Sequence, residues 1–528
     1  MKRFSFKHCI YLLGLLGLII GLISRNYYII SSTVIYLGII VLIYKVLPSS
    51  NWHTVTFREG IKRYKNIIFI ILIVEVLLST ILMSFCPYHN GEYGVRRIYE
   101  NAAQSYLNGH LYIDNVEVDE KLIAMENPYD PALREELGVQ YEWDYAWYNN
   151  HYYMYFGVVP CLLLFMPFQA LTGTPLLAYH ATQIFVALTI ICFYLLFYKL
   201  TKKYSPDLPM SVFLLLTISH SLLSVMFSIT EPAMYCTALM GGVCFELWSI
   251  YFYAKGLFLE EKRSTSSLFL GALCGALVFG CRPPVALANV IVIPILIKIL
   301  KEKNDILKNL FVIGLPYLIV GISLMIYNYV RFDSPFEFGQ TYQLTLADQH
   351  LYQSVIGRVS LKDILLGMVE SFFQPIQFIH GFPIISMKGS VFAFFPILLS
   401  VFLLFIPKVF SLWKKHKILW FGVTLFVIPL IIVVSQIVAS PFLVERYHLD
   451  FYFIMSLLSF MNIGFFYQSI NEKRKKIVCT ILCLLSYFAL GICFLMYFTP
   501  EYETLTYTYP IINKIMKNLF SFGLLGFN

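Results

Sequence analysis

The chain has 528 residues, of which 58% are hydrophobic and only 13% are charged. Soluble domains carry about a quarter charged residues, so this composition excludes an ordinary soluble protein and indicates lipid as the solvent. The net charge of +8 does not indicate nucleic-acid binding, because the basic residues cluster in short segments between apolar runs, as in cytoplasmic loops.

Apolar runs of about 20 residues predict membrane-spanning helices along the whole chain. The first run follows basic residues but lacks a small-residue cleavage site, so we interpret it as an uncleaved helix and not as a signal peptide. The pattern predicts an all-α polytopic membrane protein with about 13 transmembrane helices and a cytoplasmic N-terminus. The predicted spans lie near residues 9–24, 28–47, 67–86, 177–198, 209–227, 233–254, 266–281, 285–300, 309–329, 390–410, 418–439, 449–467 and 477–498.

A further apolar run at 155–171 disturbs this topology. If it and the run at 177–198 both crossed the membrane, the basic loop at 199–203 would lie outside. One glycine and two prolines interrupt the run, so we interpret it as a partial or re-entrant helix that lines a cavity. The alternative is that the positive-inside rule fails at this loop.

The basic segments divide the chain into three parts. Residues 1–66 form an N-terminal two-helix membrane segment, and residues 499–528 form an external tail. Between them, residues 67–498 form the main membrane domain. Its two long external loops, 87–152 and 331–388, are where we expect the functional residues.

Two carboxylates of the first external loop are candidates for catalysis. Glu92 follows the third span closely, where it could act as a base or hold a metal, and the alternative is a solvated loop carboxylate. Asp144 lies in "WDYAWYNNHYYMYFGVVP", residues 143–160. Partial burial among these rings would raise its pKa and make it a better proton acceptor. The rings could stack on a sugar or belong to the aromatic belt at the headgroups: Trp147, Tyr152, Tyr153 and Tyr155.

Three arginines sit at predicted outer ends of spans. They are Arg282 in "GCRPP", Arg331 in "RFDSPFEFG" and Arg446 in "ERYHLD". A guanidinium binds phosphate through a fork of donors, so these residues could hold a lipid phosphate. The alternative is that they reach towards lipid headgroups, as long basic side chains often do.

Motifs of soluble enzymes are missing from the sequence. It contains no P-loop, GxGxxG, HExxH or GxSxG, and its inner loops are too short for a nucleotide-binding domain. A donor substrate should therefore come from the membrane. No Asn-x-Ser/Thr triplet occurs, which fits a bacterial exterior better than an ER lumen. Carboxylates are available for a divalent metal, but no ligand spacing requires one.

Several segments resemble bacterial GT-C glycosyltransferases of the protein O-mannosyltransferase-like and aminoarabinose-transferase-like kinds. They are "YENAAQSYLNGHLYID", "NPYDP", "WDYAWYNNHYYMYFGVVPCLLLFMPFQALTG", "NYVRFDSPFEFGQTYQL" and "ERYHLDF". The resemblance covers residues 67–470 in patches, and none is a strict catalytic signature. Two departures stand out: Glu92 replaces the Asp that many members carry at the start of this loop, and two extra spans precede residue 67.

The resemblance implies an inverting transfer of a sugar from a polyprenyl-phosphate donor to an extracytoplasmic acceptor. The acceptor would be a glycan, a lipid or a protein, and the enzyme would lie in a bacterial plasma membrane. An acidic residue of the first loop would act as base or bind acceptor or metal, and outer arginines would hold the lipid phosphate. Asp144 matches the second acidic position of the family.

Two other functions fit the same pattern. A polymerase or ligase would use similar loops but would transfer a whole lipid-linked oligosaccharide. A transporter or flippase would have charged residues at the membrane midplane and repeat symmetry, and the sequence analysis finds neither.

Overall fold

The computed structural model describes residues 6–46, 53–85, 97–260, 264–302, 305–354, 359–380, 382–440, 443–499 and 509–524. These described residues are all-α apart from one small hairpin, β1 (Ala146–Tyr148) and β2 (His151–Tyr153). The helices are α1 (Phe6–Ile23), α2 (Tyr27–Val46), α3 (Phe57–Met83), α4 (Ile98–Leu107), α5 (Glu120–Ala124), α6 (Pro131–Glu136), α7 (Val158–Thr172), α8 (Ala178–Tyr204), α9 (Met210–Leu223), α10 (Met226–Thr230), α11 (Met234–Ala254), α12 (Thr265–Phe279), α13 (Pro283–Glu302), α14 (Ile306–Phe332), α15 (Gln349–Ser354), α16 (Leu361–Phe373), α17 (Val391–Phe394), α18 (Pro407–Lys415), α19 (Leu419–Ala439), α20 (Glu445–Ser469), α21 (Glu472–Met496) and α22 (Pro510–Phe520).

Among the described helices, seven are long and apolar enough to cross a membrane: α3, α8, α13, α14, α19, α20 and α21. The 3-10 helix Pro396–Phe405 and α18 would form an eighth span, bent by 72°. The predicted count of 13 is therefore not confirmed. Two predicted spans, α9 and α12, have 14 and 15 residues. At 1.5 Å per residue they are about 20 Å long, shorter than a hydrocarbon core of about 30 Å.

Of the spanning helices, α8, α13 and α19 contact α20, which is buried along nearly its whole length. Such a helix can be apolar on every face because protein surrounds it. α19 and the 3-10 helix Pro396–Phe405 pack against α20, while α11 contacts α8 and α12, and α12 contacts α14. α14 has the opposite character, because most of it is exposed and its exposed side chains are apolar, such as Leu318 and Ile319. An exposed apolar face of this size fits contact with lipid.

Local sequence sets where α3 begins. Thr56 is its N-cap, the Thr56 side chain accepts a hydrogen bond from the Glu59 amide, and the Glu59 carboxylate accepts one from the Thr56 amide. This capping box satisfies two backbone donors that would otherwise have no partner. The helix then runs through its apolar stretch to Met83.

The run that was predicted to be a partial helix is helical over Val158–Thr172. A π-helical turn, Cys161–Phe165, interrupts it, and Gly173 ends it in the left-handed conformation with φ 71°. The helix is shorter than the about 20 residues needed for a span. It packs against α4 in the segment 87–152. This segment and 331–388 are predicted to be external, and we keep the names first and second external loop for them. The re-entry of α7 into the membrane stays a prediction.

The hairpin joins the two long external loops. Its turn, Asn149–Asn150, has positive φ at both residues, the geometry that two-residue hairpins prefer. Ile113 bridges to Tyr152 on one side, and Gln343 bridges to Ala146 on the other. Segments from 113, 146–153 and 343 therefore lie side by side, although they are far apart in the sequence.

Candidate functional site

Asp144 lies where the two external loops meet. It immediately precedes the Tyr145–Leu344 contact and has φ 65°, a left-handed conformation that Asp tolerates better than most residues. Its amide donates to the Leu344 carbonyl at 3.0 Å, and the Leu344 amide donates to the Tyr145 carbonyl at 2.9 Å. The second loop thus fixes the backbone on which Asp144 is presented.

The Asp144 carboxylate is buried and accepts hydrogen bonds at both oxygens. Gln343 Nε2 donates to Oδ1 at 2.8 Å, and the Tyr235 hydroxyl donates to Oδ2. Tyr155 is close by, and burial, with a smaller contribution from Asp144, raises the pKa of its hydroxyl well above the usual value. Tyr155 therefore keeps its proton and can serve only as a neutral hydroxyl at neutral pH.

Tyr235, the second residue of α11, connects Asp144 to Arg446. The Arg446 guanidinium lies over the Tyr235 ring at 4.4 Å and over the Tyr447 ring at 5.7 Å. The Arg446 guanidinium forms no hydrogen bond or ion pair with any described residue. The buried Glu231 attracts it electrostatically. Its planar face is occupied by aromatic rings, whereas its N–H groups, which no described residue accepts, could bind an anion.

Arg282 forms an ion pair with Asp450. Its Nε and Nη2 atoms donate to the two oxygens of Asp450 at 2.6 and 2.9 Å, and the Asp450 side chain is fully buried. Gln436 Nε2 also donates to Asp450, at 2.7 Å. The Arg282 guanidinium lies 5.0 Å from the Tyr447 ring, on which Arg446 also rests. We call Asp144, Tyr235, Arg446, Tyr447, Arg282 and Asp450 the outer cluster.

Arg331 does not belong to the outer cluster. Its Nη1 donates to the Met154 carbonyl at 2.6 Å and its Nη2 donates to Asn328 Oδ1 at 2.9 Å. Its guanidinium lies 3.7 Å from the Tyr327 ring. Arg331 is buried, and these contacts tie the end of α14 to the segment that follows the hairpin. The arrangement fits a structural role better than the predicted phosphate contact.

The four predicted aromatic residues also differ in position, because three are buried in the core and one lies beside Asp144. Trp147 and Tyr152 face each other across the hairpin with rings 4.9 Å apart, and both are buried in the core of the external loop. Burial raises the pKa of Tyr152 to about 12. Tyr153 is buried against Phe332, 5.3 Å away. Of the four predicted residues, Tyr155 alone is both partly exposed and adjacent to Asp144.

Sequence reasoning missed the polar partners that assemble this site. Gln343 lies in the same quoted segment as Arg331, and Asp450 lies in the same quoted segment as Arg446. This closeness in sequence was the only indication that Gln343 and Asp450 belong to the site. Tyr235 begins an apolar helix and gave none. Glu92 lies outside the described residues. Within the described part of the chain, no three His, Cys, Asp or Glu side chains gather where they could hold a metal ion.

Two acids are buried within the helical domain. No charged residue was expected at the membrane midplane, yet Glu75 in α3 and Glu246 in α11 are both buried away from the helix ends. Glu75 accepts hydrogen bonds from the hydroxyls of Ser221 and Tyr194, each at 2.5 Å. His220, next to Ser221, contacts the Ser459 hydroxyl and the Leu216 carbonyl, as expected for a packed and hydrogen-bonded histidine.

No protein-family model matches the chain, and no curated protein or solved structure matches it. What can be stated of its class is that it is a helical protein with several helices able to span a membrane.

Proposed function

We propose that the chain is an integral membrane glycosyltransferase of the GT-C type. It moves a sugar from a polyprenyl-phosphate donor to an extracytoplasmic glycan, lipid or protein, with inversion. The enzyme lies in a bacterial plasma membrane with its N-terminus in the cytoplasm. The outer cluster is its active site, and the loops that carry Asp144 and Gln343 face the outside.

The observation that supports this proposal most is the pairing of Asp144 with Arg446 across one tyrosine. Arg446 offers unused N–H donors, which suit a phosphate. Asp144 offers a buried carboxylate held by two donors, which suits a proton acceptor of fixed position. A leaving phosphate and a base are the two groups that this transfer needs from the protein.

The proposed reaction is a single displacement. The acceptor hydroxyl attacks the anomeric carbon, and the bond between this carbon and the phosphate oxygen breaks. The hydroxyl proton passes to Asp144, and the electron pair leaves with polyprenyl phosphate, whose negative charge Arg446 stabilises. Donors preorganised at the position where charge develops are the largest contribution in many enzymes.

The test is transfer of radiolabelled sugar from synthetic polyprenyl-phosphate sugars by the purified protein in detergent. We expect Asp144→Asn to lower the rate at least about 100-fold, because a base contributes about that much. We expect Arg446→Lys to lose most activity as well, because Lys keeps the charge but not the fork of donors. Glu92→Gln tests the other predicted carboxylate.

Glu142→Gln is the matched control, since Glu142 is an exposed carboxylate of the same loop. Full transfer by all variants would reject the outer cluster as the active site. Transfer from a diphosphate-linked oligosaccharide only would indicate a polymerase or ligase instead.

A proton-coupled transporter or flippase is the second candidate. Glu75, buried in the spanning helix α3, and Glu246, buried in α11 between membrane helices, favour it, because ionisable residues buried in a membrane domain often mark ion pathways. Flux of a lipid-linked sugar across vesicles, without any sugar transfer and with loss in Glu75→Gln or Glu246→Gln, would support this function over the first.

A further inference from the structure

Glu246 is a buried acid without a hydrogen-bond partner. Its side chain is inaccessible to solvent, and among the described residues neither carboxylate oxygen has a donor. An ionised carboxylate in such a place would cost several kcal/mol, and a group in this position normally becomes neutral instead. Because α11 is enclosed by α8, α12 and α20, solvent cannot reduce this cost.

Polar groups of four helices surround the same region. The Tyr317 hydroxyl of α14 donates to Asn289 Oδ1 at 2.5 Å, and Asn289 Nδ2 donates to the Gly275 carbonyl of α12 at 3.0 Å. Ser249, on α11 near Glu246, donates to the Gly271 carbonyl at 2.7 Å. A Cβ atom on Gly275 would lie within 3.0 Å of oxygens of Tyr317, Asn289 and Ser249. The glycine therefore leaves room for these oxygens to gather.

No basic group among the described residues balances the acid. The titratable side chains coupled to Glu246 are Tyr253 on α11, Cys274 on α12 and Tyr317 on α14. Among the described residues, no Lys, Arg or His of the helices around α11 forms an ion pair with it. Tyr253 is also buried, and its hydroxyl oxygen has no well-formed hydrogen bond. The site therefore provides oxygen atoms and no positive charge.

Glu75 shows what a satisfied buried acid looks like in the same protein. Two hydroxyl donors, those of Ser221 and Tyr194, reach its two oxygens. Asp450, which is as inaccessible to solvent as Glu246, has Arg282 and Gln436. Glu246 has neither hydroxyl donors nor an arginine, so a bound proton is the simplest way to remove its charge.

We propose that Glu246, with Ser249, Tyr253, Asn289 and Tyr317 around it, is a proton-binding site inside the membrane domain. Glu246 holds its proton at neutral pH and releases it only when a donor or a cation approaches the carboxylate. The site does not depend on sugar transfer, and it would exist in a transferase and in a transporter alike.

Infrared spectroscopy of the full-length protein in detergent is the decisive experiment. A protonated carboxylic acid has a carbonyl band that a carboxylate lacks. We expect a band at neutral pH that disappears in Glu246→Gln, and this variant should remain folded because Gln is neutral and of the same shape. Glu75→Gln is the matched control and should leave the Glu246 band in place. If wild type and Glu246→Gln have the same carboxylic acid bands, the proposal is overturned.

A membrane-soluble carbodiimide distinguishes a proton from a metal cation. The protonated carboxyl adds across one C=N bond of the reagent, its proton passes to nitrogen, and the O-acylisourea rearranges to a stable N-acylurea. We expect peptide mapping to find this adduct on Glu246 in potassium and in sodium buffers alike. Protection of Glu246 by sodium, together with loss of the infrared band, would show that the site holds a sodium ion as a carboxylate and would overturn the proposal.

Discussion

The buried carboxylates of the outer cluster and the carboxylate of Glu246 differ in their hydrogen-bond and ion-pair partners. In the outer cluster each carboxylate meets donors, and Asp450 forms a two-point ion pair with Arg282. Around Glu246 the neighbours are hydroxyl, amide and thiol groups, and no ion pair forms among the described residues. We therefore infer that Asp450 is ionised and Glu246 is neutral, and that removing the acid should be costly only at Asp450.

The largest effect is expected at the ion pair of the outer cluster. Asp450→Asn keeps the shape but leaves Arg282 buried without its partner, which should lower the free energy of unfolding by about 3–5 kcal/mol. The measurement is thermal unfolding in detergent. The control is Asp207→Asn, which breaks an exposed pair with Arg58 and should change stability by less than about 1 kcal/mol. Equal losses in the two variants would contradict the distinction between buried and exposed pairs.

Trp147 tests whether the hairpin is core or substrate surface. Trp147→Ala should lower the free energy of unfolding by about 3–5 kcal/mol, because a large buried ring is removed from the core of the external loop. The same unfolding measurement checks it, with Tyr155→Phe as the comparison, since Tyr155 is partly exposed beside Asp144. A stable Trp147→Ala protein with a raised KM alone would instead indicate sugar stacking.

Glu100 should make the stability of the protein depend on pH. Its Oε1 accepts from the Ala178 amide at 2.9 Å, while Oε2 has no partner among the described residues, and burial raises its pKa from the ordinary value to about 7. An acid whose pKa is raised by folding keeps its proton in the folded state at pH values where the unfolded state has already lost it. Stability should therefore fall as pH rises from about 4.5 to 7, by at most about 3 kcal/mol.

Glu100→Gln should remove this slope and be more stable than wild type above pH 7. Melting temperatures measured between pH 5 and 8 check this prediction, with Glu142→Gln as an exposed control in the same loop. Parallel curves for wild type and Glu100→Gln would show that Glu100 does not change its protonation in this range.

Ser221→Ala tests the satisfied acid within the membrane domain. It removes one of the two hydroxyl donors of Glu75 and should cost about 1–2 kcal/mol. Thermal unfolding checks the change, and Ser323→Ala is a control because that exposed hydroxyl donates only to a carbonyl of its own helix. A loss as large as that of Asp450→Asn would mean that Glu75 is ionised and depends on both donors.

The smallest effect is expected at Glu246. Glu246→Gln replaces a neutral acid with a neutral amide and should change the free energy of unfolding by less than about 1 kcal/mol, because no ion pair is lost. Thermal unfolding beside Asp450→Asn makes the comparison direct. A loss of several kcal/mol would show that Glu246 carries a charge with an unrecognised partner.

Composition and apolar run length were enough to predict an all-α protein with helices able to span a membrane. Most predicted spans correspond to helices, because about 20 apolar residues in a row favour burial in lipid wherever they occur. Apolar run length alone did not determine the number of helices long enough to span a membrane. Runs such as 209–227 read as spans, yet α9 ends after 14 residues, since helix ends depend on neighbouring segments and on caps.

Local pattern also failed at the hairpin. Two Asn residues with positive φ turn the chain between aromatic runs, but the stretch was interpreted only as a loop whose rings stack on a sugar or belong to the headgroup belt. Which side of each ring is covered depends on α4 and on the second external loop, which contribute to the core around Trp147 and Tyr152. These partners are distant in the sequence.

Residue type and position at the end of a span were enough to single out Asp144, Arg282 and Arg446, because charge near lipid is costly and needs a reason. Their partners were decided by the tertiary structure alone. Three arginines with the same local appearance differ in the fold: Arg282 pairs with Asp450, Arg331 holds the Met154 carbonyl, and Arg446 rests on tyrosine rings. Hydrogen bonds and ion pairs are contacts across the fold, so only the packing of the helices and loops determines which charge is satisfied and which remains open.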